Sequence, residues 1–333
     1  MSQQKKIKRV GLIGLGSIGR RHLRLLKELR PDLEVFLVRS GLGSKCVEES
    51  LADGIVQSVE ALGGLAIDAA IITSPANYHI EQALKLVELA IPLLVEKPLS
   101  HNLDKTRELQ RLAESEQVCI LIGYVLRHSE DLNYAYEMMV DGGFGAISEV
   151  TIVCSSFLPD WRPGQDYRES VSAKGNLGGG VLLELSHELD YANWLFGPFK
   201  SVEANITNSG KLQLEVEDTA DLRLISHTGV RVSIHIDFVS RQSVRECVIA
   251  GKNGGLRWDG INRSVTSQRN AECEKVVKFD TNRDRMYRSQ LSHFLACVEA
   301  GIQPRVGLGE GIEVLELIDA ARRSDKENGV VFL

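Results

Sequence analysis

A Gly-x-Gly-x-x-Gly pattern at residues 14–19 constrains this 333-residue chain more than any other feature, because of the sequence on either side of it. The run Val10–Ile13 is short and apolar, as expected of a buried strand, and Arg20–Leu29 favours a helix that Pro31 stops. A strand, a glycine turn and a helix in that order are the context of a dinucleotide-binding fingerprint, with the pyrophosphate at the helix N-terminus. The cofactor-binding residues predicted in this turn are Gly14, Gly16, Ser17, Ile18 and Gly19.

The second predicted strand, Glu34–Val38, is followed by Arg39 and Ser40 rather than by an acid. NAD-binding domains usually place Asp or Glu here, where it holds the ribose 2′-hydroxyl. A carboxylate would repel a 2′-phosphate, whereas Arg39 with Ser40 would bind one. The sequence therefore favours NADP(H) over NAD(H). The alternative is that Arg39 stacks on the adenine and discriminates little.

Two later strands end in polar residues that belong near a bound dinucleotide. The run Ile67–Thr73 ends beside the first glycine turn, and Pro92–Glu96 ends at Lys97. A lysine at the carboxyl end of a buried strand points to the ligand crevice of an open α/β sheet, although a surface-loop lysine is the alternative. The cofactor-binding residues predicted at these strand ends are Thr73, Ser74, Pro75, His79, Glu96 and Lys97.

The alternation of strands and helices stops near Gly123, and the pattern then changes to strand-like runs with short turns. We therefore predict an α/β chain of two domains. Residues 1–123 form a Rossmann domain with a doubly wound parallel sheet, and residues 124–333 form an α+β domain with a large open, mainly antiparallel sheet. The strand-like runs of the second domain are Ile147–Phe157, Ser201–Thr207, Thr219–Ser226, Val230–Val239 and Glu246–Ala250.

A helix-like stretch at residues 178–197, opened by three glycines, carries a second candidate site. Glu184, His187 and Asp190 are three residues apart and so project from one face of a helix. An acid, an imidazole and a second acid on one face suit proton transfer, and a solvated polar face is the alternative. The motif His-Glu-x-x-His is incomplete, because Tyr191 stands at its second histidine, so no metal site is predicted.

Charge and cysteine usage restrict the environment of the chain. A net charge of −6 argues against a nucleic-acid partner, and no apolar run is long enough to span a bilayer. The basic N-terminus runs into an apolar stretch that glycines interrupt, so it is not predicted to be a signal peptide. Six widely spaced cysteines without a Cys-x-x-Cys motif favour reduced thiols in a cytoplasmic protein.

The landmarks together resemble those of the Gfo/Idh/MocA family (glucose–fructose oxidoreductase, inositol dehydrogenase, rhizopine catabolism). They occur in the order of the family, from about residue 8 to the end of the chain. They are Gly14-Leu-Gly-Ser-Ile-Gly-Arg-Arg-His22, Thr73-Ser-Pro75 with His79, Glu96-Lys97-Pro98, Gly123-Tyr124 with Arg127, and three glycines before His187-x-x-Asp190.

This resemblance implies a nicotinamide-dependent reaction at a sugar-like hydroxyl. Lys97 and His187 would act at the reacting oxygen, with His187 taking the proton and Lys97 donating a hydrogen bond. Leu183 stands where the family often has Asp, so the third catalytic residue stays open between Glu184 and Asp190. The open sheet of the family commonly buries one face against another subunit, which implies a homodimer or homotetramer.

A loop before the glycines resembles a branch of the family associated with surface-polysaccharide sugar pathways. Two arginines and two aromatic residues there suit an anionic sugar, such as a nucleotide sugar or a sugar acid, unless the arginines only pair with neighbouring acids.

The alternatives to a sugar oxidoreductase are an NAD(P)-dependent glycoside hydrolase and a non-catalytic NADP(H)-responsive regulator. The predicted substrate-binding residues are Tyr124, Arg127, Trp161, Arg162, Tyr167 and Arg168.

Overall fold

A computed structural model of the chain describes residues 6–41 and 45–333. Residues 1–5, at the basic start of the chain, lie outside the described residues. The chain divides into two compact units, the first formed by residues up to 128 with 283–312, and the second by residues 129–282 with 313–333. The sequence places the boundary at 123 and assigns residues 283–312 to the second domain, whereas in the structure they pack with the first.

The first unit contains a parallel six-stranded sheet in the order β3-β2-β1-β4-β5-β6, which confirms the predicted Rossmann fold. Its strands are β1 (Arg9–Ile13), β2 (Glu34–Val38), β3 (Gly54–Val56), β4 (Ala69–Ile72), β5 (Leu93–Glu96) and β6 (Ile120–Gly123). Its first three helices are α1 (Ser17–Leu29), α2 (His79–Glu88) and α3 (Thr106–Ser115). Every residue of β4, β5 and β6 is buried, as expected of a parallel sheet covered on both faces.

The second unit contains a nine-stranded sheet in the order β14-β13-β12-β11-β7-β10-β9-β8-β15. The sheet is antiparallel except for the pair β7–β10, which agrees with the predicted mainly antiparallel sheet. Its strands are β7 (Ile147–Phe157), β8 (Phe199–Thr207), β9 (Thr219–Ser226), β10 (Arg231–Asp237), β11 (Val239–Gly251), β12 (Gly254–Asp259), β13 (Ser264–Arg269), β14 (Lys275–Lys278) and β15 (Val331–Phe332). The last four of these strands have no counterpart among the predicted runs.

Three helices of the second unit cover one face of this sheet. They are α4 (Glu130–Val140), α5 (Val181–Glu184) and α6 (Ser186–Phe196). Helix α4 packs on β12 and β13, α5 on β9 and β10, and α6 on β10. On the other face, side chains such as Asp221, Arg223 and Ile225 of β9 are exposed, because they alternate with buried neighbours.

Two long helices close the chain, α7 (Asp284–Ala300) and α8 (Leu308–Glu327). Leu291, Phe294 and Leu295 of α7 lie in the same hydrophobic core as Val10 and Leu12 of β1. This packing is the reason why α7 belongs to the first unit. No helix within residues 6–41 and 45–333 is both long and apolar enough to cross a bilayer.

Candidate active site

The glycine turn is pressed against the carboxyl end of β4. Gly14 has a φ of +90°, and a Cβ there would lie 2.9 Å from the Ser74 nitrogen. A Cβ at Gly19 would lie 2.4 Å from the Gly14 oxygen and 2.7 Å from Thr73 Oγ1. Thr73 Oγ1 also lies within hydrogen-bond distance of the Ile13 and Gly14 carbonyl oxygens, at 2.9 and 2.8 Å. Glycine is therefore required at both positions for packing alone.

Gly16 differs from these two glycines, because a Cβ there would meet no atom within 4 Å. It is the N-cap residue of α1, the described residues supply no side-chain cap, and the first turn of the helix carries no acid. The first N–H groups of a helix need partners and favour negative charge. Open space, donors and missing acids together fit a dinucleotide pyrophosphate at this helix end.

His79 holds two strand ends together from a buried position. Its Nδ1 lies 3.0 Å from the Pro98 oxygen and its Nε2 lies 2.7 Å from the Ser74 oxygen. Burial is the largest influence on the imidazole and lowers the pKa of His79, although both carbonyls act in the opposite direction. The contacts of His79 therefore position the loops after β4 and β5, and its direct contact with a cofactor stays a prediction.

Glu96 and Lys97 stand at the end of β5. Glu96 is buried and pairs with His22 of α1, whose Nε2 lies 2.6 Å from Glu96 Oε1. The Lys97 backbone N–H donates to Glu96 Oε2 at 3.3 Å. A Cβ at Gly123 would lie 2.9 Å from Glu96 Oε2, so the glycine leaves room for this carboxylate. Lys97 is half-buried, and the Glu96 carboxylate accepts from its backbone N–H.

A carboxylate that the local sequence pattern does not predict lies next to the end of β2. Arg39 pairs with Glu49, which lies in a short 3-10 helix, Val47–Leu51. The side chains are 13% and 18% exposed. Ten residues of chain separate the two partners, so the local pattern after β2 gives no sign of the pair. Its only sequence signal is the acidic pair Glu48-Glu49.

The helical stretch at residues 178–197 is interrupted. This corrects the prediction of one continuous helix through residues 184–190. Helix α5 ends at Glu184 and α6 begins at Ser186, with Leu185 between them at φ −99° and ψ 23°. The Glu188 N–H bonds to the Leu185 oxygen three residues back, a 3-10 pattern that breaks the α-helical register. His187 and Asp190 share one helix, and Glu184 lies on the other.

The three candidate groups of this stretch differ in burial. Asp190 is fully buried, whereas Glu184 and His187 are partly exposed. The neighbouring Glu188 is also fully buried, and Arg245 Nε of β11 donates to its Oε1 at 2.7 Å. This ion pair fixes α6 to the sheet beside His187.

The predicted substrate loop, residues 159–168, is held by two hydrogen bonds to residues outside it and by one ion pair within it. Trp161 Nε1 donates to Ser156 Oγ at 3.0 Å, and the Tyr167 hydroxyl donates to the Leu212 oxygen at 3.2 Å. Arg168 forms a two-pronged pair with Asp166, at 2.9 and 2.7 Å, and this pairing lowers the pKa of Asp166 to about 2. For Arg168, the structure shows the alternative to sugar binding, in which the arginine pairs with a neighbouring acid. Arg162 is exposed.

The other two predicted substrate residues belong to the first unit. Tyr124 is fully buried and Arg127 is 7% exposed, in the short segment after β6. Burial lowers the pKa of the adjacent His128 to about 3, with Arg305, His293 and Arg127 adding to the effect.

Among the described residues, no cluster of His, Cys, Asp and Glu side chains could hold a metal ion.

A parallel six-stranded sheet with an open glycine turn defines a Rossmann dinucleotide-binding protein. The model of an NAD-binding Rossmann fold of the Gfo/Idh/MocA oxidoreductases matches residues 8–124, and that of the C-terminal α/β domain matches residues 139–333. The chain belongs to this oxidoreductase family, which confirms the resemblance of its motifs.

Relatives and solved structures agree with this membership. An uncharacterised oxidoreductase of Synechocystis sp. is 28% identical over 54% of the chain, and the match spans about half (51%) of that relative. The 1,5-anhydro-D-fructose reductase of Ensifer adhaerens is 24% identical over 97% of this chain and 99% of its own. A structure of the WlbA dehydrogenase from Bordetella pertussis, in complex with NADH and UDP-GlcNAcA, aligns with a TM-score of 0.85 at 22% identity over 99% of both chains. That likeness shows the shared fold.

Proposed function

We propose that the chain is a nicotinamide-dependent oxidoreductase acting on a hydroxyl or carbonyl of a sugar, sugar acid or nucleotide sugar. The observation that carries this proposal is the glycine turn. There is open space beside Gly16, and the first turn of α1 offers N–H donors and carries no acidic residue. At the other two glycines, by contrast, neighbouring protein atoms fill the space. Family membership and the sugar-converting relative from Ensifer adhaerens support the same class of reaction.

His187 and Lys97 are the proposed groups at the reacting oxygen. A bound nicotinamide supplies the hydride acceptor or donor. In the oxidising direction, His187 takes the proton of the substrate hydroxyl, and the Lys97 ammonium donates a hydrogen bond to that oxygen and stabilises its developing charge. Of the two candidate third residues, Asp190 lies on the helix of His187 and is buried, so we assign it the role of orienting α6 around the imidazole. Glu184 is partly exposed, so we assign it proton exchange with solvent.

NADP(H) is the proposed favoured cofactor, supported by Arg39 and Ser40 after β2. The exposed Arg162, beside Trp161 and Tyr167, is the proposed contact for an anionic part of the substrate. The proposed interface of a homodimer or homotetramer is the exposed face of the nine-stranded sheet. Along β9, the side chains on this face are exposed, whereas those on the other face are buried. Sedimentation analysis would measure the oligomeric state.

The test of the proposed chemistry replaces Lys97 and His187 by alanine. Each variant is expected to lose about 10²–10⁴-fold in turnover, because each removes a group that acts on the reacting oxygen. Dinucleotide binding, followed by cofactor fluorescence, is expected to stay close to that of the unmodified protein. His227→Ala, at an exposed turn of the second unit, is the matched control. Rates like those of the unmodified protein in both variants would contradict the assignment.

A further inference from the structure

Arg39 leaves β2 directly beside the glycine turn. Its backbone N–H donates to the Val56 oxygen at 2.9 Å, and one residue earlier the Val38 oxygen accepts from the Gly14 N–H at 3.2 Å. These bonds fix the end of β2 between β3 and the turn. The ribose of the adenosine moiety lies at this place when a Rossmann fold binds a dinucleotide. The side chain of Arg39 therefore leaves the backbone close to the place where a 2′-hydroxyl or 2′-phosphate would lie.

Glu49 supplies a carboxylate at the same place from a different part of the chain. The short 3-10 helix Val47–Leu51 packs against α1, and Glu49 in its first turn pairs with Arg39 Nη1. With both side chains less than one-fifth exposed, solvent and salt screen this pair less than a surface pair. The acid that the end of β2 lacks is thus present, ten residues further along the sequence.

We propose that Glu49 sets the cofactor preference by competing with a 2′-phosphate for Arg39. This inference rests on the proposed nicotinamide-dependent function. A 2′-phosphate must take the guanidinium from Glu49 and then lie close to its negative charge, which weakens NADP(H) binding. A 2′-hydroxyl leaves the ion pair intact and can donate to the carboxylate. Glu49 therefore narrows the preference for NADP(H) that Arg39 and Ser40 create.

The test measures dissociation constants of NADPH and NADH by cofactor fluorescence, so that it requires no turnover. Glu49→Gln is expected to raise the ratio of the NADH constant to the NADPH constant about tenfold, because the Arg39–Glu49 ion pair is lost and a negative charge is removed. Glu48→Gln is the matched control, since it removes the same charge from the same helical turn but not from the Arg39 pair. Its ratio is expected to stay within about twofold of the original.

A second pair of variants separates the ion pair from general charge. In the double variant Arg39→Gln with Glu49→Gln, the gain in NADPH affinity is expected to disappear, because no guanidinium remains for the phosphate. Glu49→Asp keeps the charge and is expected to keep the ratio close to the original. An unchanged ratio in Glu49→Gln, or an equal rise in Glu48→Gln, would overturn the inference alone. Failure of the unmodified protein to bind either dinucleotide would overturn the proposed function as well.

Discussion

The three fingerprint glycines have different physical roles, although the sequence pattern treats them alike. Gly14 and Gly19 leave room for neighbouring protein atoms, since a Cβ at either position would lie closer than 3 Å to the turn or to the residues that follow β4. Gly16 leaves room for something that is not protein. The motif is local and therefore visible in sequence, but this division of roles depends on which atoms approach from β4.

Substitution of these glycines by alanine separates folding from binding. Gly16→Ala is expected to keep the free energy of unfolding within about 0.5 kcal/mol and to weaken dinucleotide binding at least about tenfold, because the methyl group occupies the open space. Gly19→Ala is expected to destabilise the protein by about 1–3 kcal/mol through overpacking against the Gly14 oxygen. Urea denaturation and fluorescence titration measure the two effects. Gly64→Ala, also in open space but remote from the turn, is the control. If Gly16→Ala bound the dinucleotide as tightly as the unmodified protein, the space beside Gly16 would not be the binding site.

Single residues at the site were predictable where chemistry follows the local pattern and not where the fold brings distant residues together. Lys97 follows a recognisable buried strand, which β5 confirms, whereas its catalytic role stays a prediction. Glu49 and Arg245 gave no such signal, because their partners Arg39 and Glu188 are ten and 57 residues away along the chain. Pairings at that separation depend on tertiary structure.

At the scale of elements, hydrophobic periodicity predicted several strands of both sheets, but it missed β12–β15 and the interruption between α5 and α6. Strands β2, β7 and β9 have the predicted bounds, because their apolar residues are continuous or alternate over the whole strand. The interruption at Leu185 has no sequence marker, since leucine is a good helix former. The dihedral angles of Leu185 and the backbone bond from Glu188 to Leu185 reveal it.

Strands β9 and β10 carry a titratable cluster that gives a prediction for pH. His235 lies 2.8 Å from Asp221 and 3.1 Å from Asp237, and hydrogen bonds to these carboxylates raise the pKa of His235 to about 9. Because the folded-state pKa lies above the ordinary value, the protonated histidine stabilises the folded protein fully below about pH 6.5. That stabilisation is lost as the pH rises through about 9.

The urea midpoint of the protein is therefore expected to fall between pH 7 and pH 10. His235→Asn is expected to reduce this pH dependence, and His227→Asn, at an exposed turn, is expected to leave it unchanged. A profile for His235→Asn that parallels the unmodified protein across this range would show that the carboxylates do not hold the imidazolium.

At the scale of the whole molecule, the cofactor-binding unit is discontinuous in sequence. Helix α7 lies about 160 residues beyond β6 and still contributes Leu291, Phe294 and Leu295 to the core around β1. Linear patterning assigns a helix to its neighbours in sequence, so the domain boundary at Gly123 did not include this return of the chain. The architecture of each sheet was predictable from its repeating units, whereas the membership of α7 was not.

Truncation of a core residue in α7 tests this organisation. Phe294 is fully buried, and Phe294→Ala is expected to lower the free energy of unfolding by about 4 kcal/mol, because it leaves a cavity in the core of the first unit. Dinucleotide affinity of that variant is expected to become sensitive to mild urea. Phe332→Ala, at a residue that is 77% exposed, is expected to change stability by less than about 0.5 kcal/mol. A similarly small loss for Phe294→Ala would contradict the packing.

The central claim, a nicotinamide-dependent reaction on a sugar, is tested most directly by following the absorbance of the reduced nicotinamide. The protein would be mixed with a panel of sugars, sugar acids and nucleotide sugars, with NADP(H) and NAD(H) in parallel. We expect a substrate-dependent change in absorbance that Lys97→Ala and His187→Ala abolish. Constant absorbance across the panel, with dinucleotide demonstrably bound, would contradict the claim and favour the hydrolase or the regulator, which cleavage assays on the same panel would distinguish.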